Sequence, residues 1–351
     1  MGIIKTQIRS DSVATHMKFN GWGVKGKWAP DYARLRKQFR LTKFDFDSKM
    51  EPENFINNKL IVGHEFFGEW LNKAKKGKAA LVSGFTPSGN PHIGTLCIFR
   101  QMAYYQKEYN AKLYIPIADL EAAYVRHTER STIKANTLDL LAHLSASGVN
   151  LKKSSIYLQS NNLGTLKKMY MLVNLLNKSE VNSIYWKNIG LPYILSALLM
   201  SSDILLPLDY GYRSVLVTLG IDEIGHIKLA RNLAKKMDIR NFPSATYTDL
   251  IPGLYDSKMS KSISKNNIRL SENSNTAAAK VKLAIENGNR SLYINLMKWF
   301  SNGSVDISNK LEPKFAGKIV KELLEKQGRK YKTAIPMATD IVDKLFKQER
   351  D

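Results

Sequence analysis

Two short stretches carry residue types at spacings suited to phosphate chemistry. The first is "TPSGNPHIGTL", residues 86–96, between an apolar run "KAALVSGF" and a helix-patterned run "LCIFRQMAYYQ". A tight loop between a strand and a helix is a common phosphate cradle, because unpaired N–H groups and the positive dipole end point at the ligand. Gly84 lets the backbone turn and approach a ligand, and Pro87 stiffens the loop. Gly94 would let a flat base lie against the backbone. His92 could donate to a phosphate oxygen as charge develops, with Thr95 as the next polar group. Neither a Lys-Ser/Thr ending nor a Gly-x-Gly-x-x-Gly pattern accompanies this loop.

The second stretch is "GLYDSKMSKS", residues 253–262. Lys258 and Lys261 flank Met259 and Ser260 in a Gly/Ser-rich segment. Two ammonium groups three residues apart can clamp a departing pyrophosphate, and a loop can close for that step. A third candidate, Gly21 to Lys27, resembles a phosphate loop, but Trp28 stands where Ser or Thr must hold magnesium. No apolar strand leads into it, so it reads as a surface loop.

The elements that must hold these loops follow from periodicity. Apolar, β-branched runs at 79–82, 112–117, 154–158 and 214–219 alternate with helical patterns such as 131–148 and 191–206. Strands alternating with helices predict a Rossmann-type, doubly wound parallel sheet in an α/β fold, with ligands at the carboxyl ends of the strands. Residues 1–78 read as an irregular N-terminal extension. Residues 79–265 are expected to form the sheet domain, with a helical insertion. Residues 266–351 read as an α-helical domain, with Ile319, Val320, Leu323 and Leu324 on one face.

Composition narrows the partners. The chain has 351 residues and a net charge of +22, from 53 Lys and Arg against 31 Asp and Glu. Residues 257–351 alone hold 19 Lys and Arg against 10 Asp and Glu. Such a surface repels itself unless it meets a polyanion, with nucleic acid the leading one; general adaptation to a salty or hot cell is an equal alternative on charge alone. A single cysteine, Cys97, rules out an internal disulfide and suits a reducing, cytoplasmic setting. The N-terminus lacks a long apolar segment of the secretory kind, and no apolar run is expected to span a membrane. No His/Cys/Asp/Glu pattern with metal spacing is present, so no protein-bound metal is expected.

"PHIG" followed by "KMSKS" resembles the paired signature of the class I aminoacyl-tRNA synthetases. The resemblance implies a Rossmann catalytic domain, ATP with Mg2+ as substrate, an aminoacyl-adenylate intermediate and transfer to tRNA. "NGWGVKGKWAPDYARLRKQF", "GFTPSGNPHIG", "AKLYIPIADLEAAYVR", "LGIDEIGHIKLARNLAKK" and "PSATYTDLIPGLYDSKMSKS" are similar to the archaeal and eukaryotic tryptophanyl group, from about residue 20 to 265. It implies His92, Lys258 and Lys261 as catalytic groups, and residues 266–351 as a helical tRNA anticodon-binding domain. ATP would be held by Gly84, Pro87, Gly94, Thr95, Gly220, Asp222, Met259 and Ser260. Glu121 would be the indole-binding carboxylate, and Val82, Met200 and Glu223 would line the amino-acid site. The implied partners are tRNA(Trp), tryptophan and a second copy of the chain in a homodimer.

The sequence departs from that pattern at Thr95, where histidine or asparagine is usual, and at Met200 and Glu223, where glutamine is usual. Pro116 replaces a common polar residue near the pocket. These departures bear on the amino acid more than on adenylation. Tyrosine is the runner-up, and a synthetase-like RNA-binding protein without activation is an alternative of a different class.

Overall fold

The computed structural model describes residues 18–20, 23–25, 32–44, 60–177, 180, 190–255, 258–260, 264–301 and 311–347. Its centre is a six-stranded sheet in the order β3-β8-β7-β4-β5-β6. The strands are β3 (Ile61–Glu65), β4 (Ala79–Val82), β5 (Lys112–Ile117), β6 (Ser155–Leu158), β7 (Ser214–Gly220) and β8 (Ser244–Thr248). All neighbours pair in parallel except β3, which runs antiparallel to β8. The four strands expected from alternation are present. The parallel set reverses its winding direction between β4 and β7, so the carboxyl ends of these two strands open a crevice.

Helices cover both faces. On one side lie α3 (Leu96–Tyr109) and α5 (Arg130–Ala146), with α2 (Phe67–Ala74) beside them. On the other lie α7 (Leu191–Asp209) and α8 (Ile224–Lys236), with α6 (Leu163–Val173) outside them. β4 and β7 are buried along almost their whole length, which is why they read as continuous apolar runs. The short helix α4 (Asp119–Tyr124) follows β5.

The expectation of an irregular stretch over 1–78 needs correction. A hairpin of β1 (Lys18–Asn20) and β2 (Gly23–Lys25), helix α1 (Tyr32–Phe39), β3 and α2 all fall there. β3 completes the sheet, and Trp70 of α2 is fully buried, its indole N–H donating to the Ala80 carbonyl at 2.9 Å. Of the Gly21 to Lys27 loop, Gly23–Lys25 form β2, and the rest lies outside the described residues.

Past residue 266 the described elements are helices: α9 (Ser274–Glu286), α10 (Arg290–Phe300) and α11 (Pro313–Lys347). Val320 and Leu324 of α11 are buried, with Ile319 and Leu323 packed beside them. One hydrophobic core runs from the sheet through α5 into these helices. Contrary to the sequence expectation, α7 is long and apolar enough to cross a membrane by length and composition. However, 61% of its apolar window is buried inside the fold, as in the core helix of a globular domain.

Candidate active site

At the crevice between β4 and β7 lies a cavity of about 340 Å³. The loop after β4 supplies Gly84, Thr86, His92, Gly94 and Thr95, and the turn after β7 supplies Gly220, Asp222 and Glu223. Lys258, Met259 and Ser260 form a further wall. The two signature stretches therefore meet on one cavity. What joins them is the segment 266–270. Ile93 N donates to the Ile268 carbonyl at 3.0 Å, and Leu270 N donates to the Pro91 carbonyl at 2.9 Å. From the same segment Asn267 Nδ2 donates to the Ser260 carbonyl at 3.0 Å. Lys261 lies outside the described residues.

His92 sits in extended conformation at the cap of a short 3-10 turn, Ile93–Thr95, which runs straight into α3. Its Nδ1 accepts from Gly94 N at 3.1 Å. The neutral ring must then carry its proton on Nε2, which makes Nε2 the donor. Thr95 completes the cap: its Oγ1 accepts from His92 N at 3.1 Å and donates to His92 O at 2.8 Å. The unusual Thr95 thus serves to orient His92. Gly94 is tightly bounded, because a Cβ there would lie 2.5 Å from Ile251 Cγ2 and 2.9 Å from His92 Cε1. A Cβ at Gly220 would collide with the Asp222 carboxylate, and one at Gly84 would press on Pro116 Cγ at 3.0 Å. Pro87 contributes its carbonyl, which accepts from Asn136 Nδ2 at 2.9 Å.

The cavity is rich in carboxylates. Asp222 is buried and ion-paired with Lys258. Burial works against the Lys258 ammonium, but Asp222 and Glu223 outweigh it and hold its pKa above the usual lysine value. Burial pushes the Glu223 carboxyl up, and His226 Nε2, 3.3 Å away, opposes that. Met259 is buried, with its N–H on the Ile251 carbonyl at 3.1 Å. Asp249 is held by Lys298 Nζ at 2.7 Å and by the hydroxyl of Tyr32 from α1. A helix of the N-terminal stretch therefore reaches the cavity wall.

A smaller chamber of about 80 Å³ adjoins the first and is walled by Val82, Pro116, Met200, Ile204 and Val217. Glu121 borders both chambers, and Arg126 grips its Oε1 with Nε at 3.1 Å and Nη2 at 3.0 Å. Val82, Glu121 and Met200 are thus brought together here, whereas Glu223 lines the larger chamber.

The residue that sequence reasoning passed over is Asp203, on α7. It is 2% exposed and lines only the smaller chamber. Tyr157 OH and Thr165 Oγ1 donate to its Oδ1 at 2.9 and 2.8 Å, and Gln159 Nε2 donates to its Oδ2 at 2.6 Å. Burial raises its pKa to about 6 against the pull of these three donors. An aspartate inside "LLMSSDILL" was the available signal, since a charge in an apolar helix needs partners. Among the described residues no group of three or more His, Cys, Asp or Glu could hold a metal.

This fold and site define a class. The profile of the family "tRNA synthetases class I (W and Y)" matches residues 73–347, and the chain belongs to that family. Within it, the tryptophan–tRNA ligase of Methanopyrus kandleri is 30% identical over 274 residues, covering 75% of this chain and 72% of that protein. The tryptophan–tRNA ligase of Methanocaldococcus jannaschii is 31% identical, covering 75% and 74%. The crystal structure of tryptophanyl-tRNA synthetase from Aeropyrum pernix superposes with a TM-score of 0.76 at 25% identity, over 90% of this chain and 96% of that one.

Proposed function

We infer that this chain is a tryptophan–tRNA ligase. The observation that carries the reading is the convergence of both signature stretches on one crevice of a Rossmann sheet, joined to an apolar side-chain chamber. The nearby archaeal tryptophan–tRNA ligases support the choice of amino acid. ATP, with Mg2+ as part of the substrate, occupies the larger chamber, and the indole enters the smaller one.

In the first step a carboxylate oxygen of tryptophan attacks the α-phosphorus, the bond to the β-phosphate oxygen breaks, and pyrophosphate leaves. His92 Nε2–H donates to the phosphates, and Lys258 and Lys261 neutralise the departing pyrophosphate. Asp222 accepts from a ribose hydroxyl once Lys258 moves to the phosphates. In the second step a hydroxyl of the tRNA terminal ribose attacks the acyl carbon, and AMP leaves.

Indole recognition needs one acceptor and apolar walls, because the ring offers a single N–H donor. Glu121 borders both chambers and is gripped by Arg126, which supports assigning it to the α-ammonium group. Asp203, a buried acceptor lining the apolar chamber, is assigned to the indole N–H. This shifts the indole role from Glu121 to Asp203. Asp203→Asn should raise KM for tryptophan well beyond its effect on KM for ATP; equal changes in both would contradict the assignment.

The basic C-terminal helices suit tRNA contact, and membership of the synthetase family supports a cytoplasmic enzyme. A homodimer is supported by the exposed Leu163, Tyr170 and Met171 of α6 and Leu191 of α7, which together leave apolar surface uncovered. Sedimentation at micromolar concentration should give twice the monomer mass, and Tyr170→Glu with Met171→Glu should halve it.

A further inference from the structure

Asp139 of α5 is buried, and its two carboxylate oxygens serve two different parts of the molecule. Oδ2 accepts from Asn90 Nδ2 at 2.9 Å, and Asn90 sits two residues before His92 in the signature loop. Oδ1 accepts from Tyr331 OH of α11 at 2.9 Å. One turn earlier on α5, Asn136 Nδ2 holds the Pro87 carbonyl of the same loop. One turn later, the His143 ring packs on Tyr331 with centroids 4.3 Å apart, and its backbone carbonyl accepts from Gln327 of α11 at 3.2 Å. His143 Nε2 lies 3.5 Å from Asp139 Oδ1, and burial holds its pKa down at about 4, so it is neutral at physiological pH.

We propose that Asp139 is a positioning residue that ties the nucleotide-binding loop to the C-terminal helix α11, so that the seating of α11 sets the geometry of His92 toward ATP. The physical argument is local. Asn90 and Tyr331 each donate to the same buried carboxylate. Removing either donor lets that carboxylate turn toward the other, because a buried charge cannot stay half-satisfied without cost. A loop displaced by a fraction of an ångström loses near-attack geometry although every group that touches ATP is intact. Ser88, His92, Gly94 and Thr95 of the loop line the larger chamber alone, and only Gly84, Phe85 and Thr86, next to β4, reach the smaller one, so the change should fall mainly on ATP.

The bridge rests on reading residues 84–95 as the nucleotide loop. Its test is a double-mutant cycle of Tyr331→Phe and Asn90→Ala on tryptophan-dependent pyrophosphate exchange, without tRNA. Each single variant should lower kcat/KM for ATP by roughly fivefold to fiftyfold, with KM for tryptophan within about twofold of wild type. The double variant should be no worse than the poorer single one, because both cut the same connection. A second variant pair checks the chemistry. Asp139→Asn alone should impair the enzyme, and adding Asn90→Asp should restore ATP kinetics, since the carboxylate moved to position 90 accepts from the amide placed at position 139. Multiplicative losses in the cycle, or wild-type ATP kinetics in Tyr331→Phe, would overturn the proposal. If the wild-type chain gives no exchange with tryptophan, the substrate reading fails instead. The same cycle is then read as the equilibrium Kd for ATP, where additivity again overturns the bridge and non-additivity upholds it.

Discussion

Lys258 and Asp222 form an ion pair in the wall of the larger cavity, with the lysine side chain 25% exposed and the aspartate 1% exposed. The pair joins a residue of the second signature to the turn after β7, so the two groups expected to meet ATP hold each other. On the proposed assignment ATP binding requires an exchange: the phosphates take the ammonium, and the ribose takes the carboxylate. Lys258→Ala should lower kcat of pyrophosphate exchange by about 100-fold while KM for tryptophan stays within about twofold. It should also destabilise the free protein by roughly 1–3 kcal/mol, because a buried carboxylate loses its partner. Adding Asp222→Asn should restore the thermal midpoint but not the rate. Recovery of both together would deny Lys258 a direct role.

The proposed function gives the two nitrogens of His92 separate tasks, which substitutions can separate. Asparagine at 92 can place its amide oxygen where Nδ1 accepts from Gly94, and glutamine can place its amide nitrogen where Nε2 donates. His92→Asn should therefore unfold close to the wild-type temperature yet turn over slowly. His92→Gln should show the reverse: the lower melting temperature of the two and the higher kcat. The opposite ranking in both measurements would reverse the assignment of the nitrogens.

Asp203 gives a pH signature. Its folded pKa of about 6 lies above the ordinary aspartate value, so between about pH 4 and pH 6 the folded chain binds more protons than the unfolded one. This residue's contribution to stability is therefore greatest at low pH and declines as pH rises through that window. As an acceptor for the indole it is strongest when ionised, because protonation puts an O–H on one oxygen and weakens the other as an acceptor. KM for tryptophan should rise as pH falls below about 6, and Asp203→Asn should remove that inflection while KM for ATP stays flat. A tryptophan KM independent of pH in the wild type would move the indole contact to another group.

Gly94 is required by contact and not by backbone angle. Its Cβ would lie 2.5 Å from Ile251 Cγ2. Gly94→Ala should destabilise by roughly 1–3 kcal/mol through overpacking. Combining it with Ile251→Ala should cost less than the sum of the two single changes, measured by denaturant unfolding. Strict additivity would mean that the close approach is relieved elsewhere.

Much of the sheet was legible because β4, β5, β6 and β7 are apolar runs punctuated by helical stretches. β3 and β8 were harder to see. "IVGHE" is a short edge strand with a glycine inside it, and "SATYT" is buried yet carries three hydroxyl-bearing residues besides its tyrosine. Their polar atoms find partners only after folding, as when Thr246 Oγ1 donates to Gln101 Oε1 at 3.1 Å. The signature loops stood out because glycine, proline, histidine and lysine in fixed order have few other uses. Asp203 did not stand out, because its donors Tyr157, Gln159 and Thr165 lie 38–46 residues away in sequence. The Lys258–Asp222 pair and the Asp139 bridge are likewise products of topology, joining residues that no local pattern connects.

The most direct measurement is pyrophosphate exchange with ATP across all twenty amino acids, using the whole chain. The account predicts exchange that depends on tryptophan and is far weaker with tyrosine, followed by charging of tRNA(Trp). Exchange with tyrosine alone, or tRNA binding without exchange for any amino acid, would contradict it.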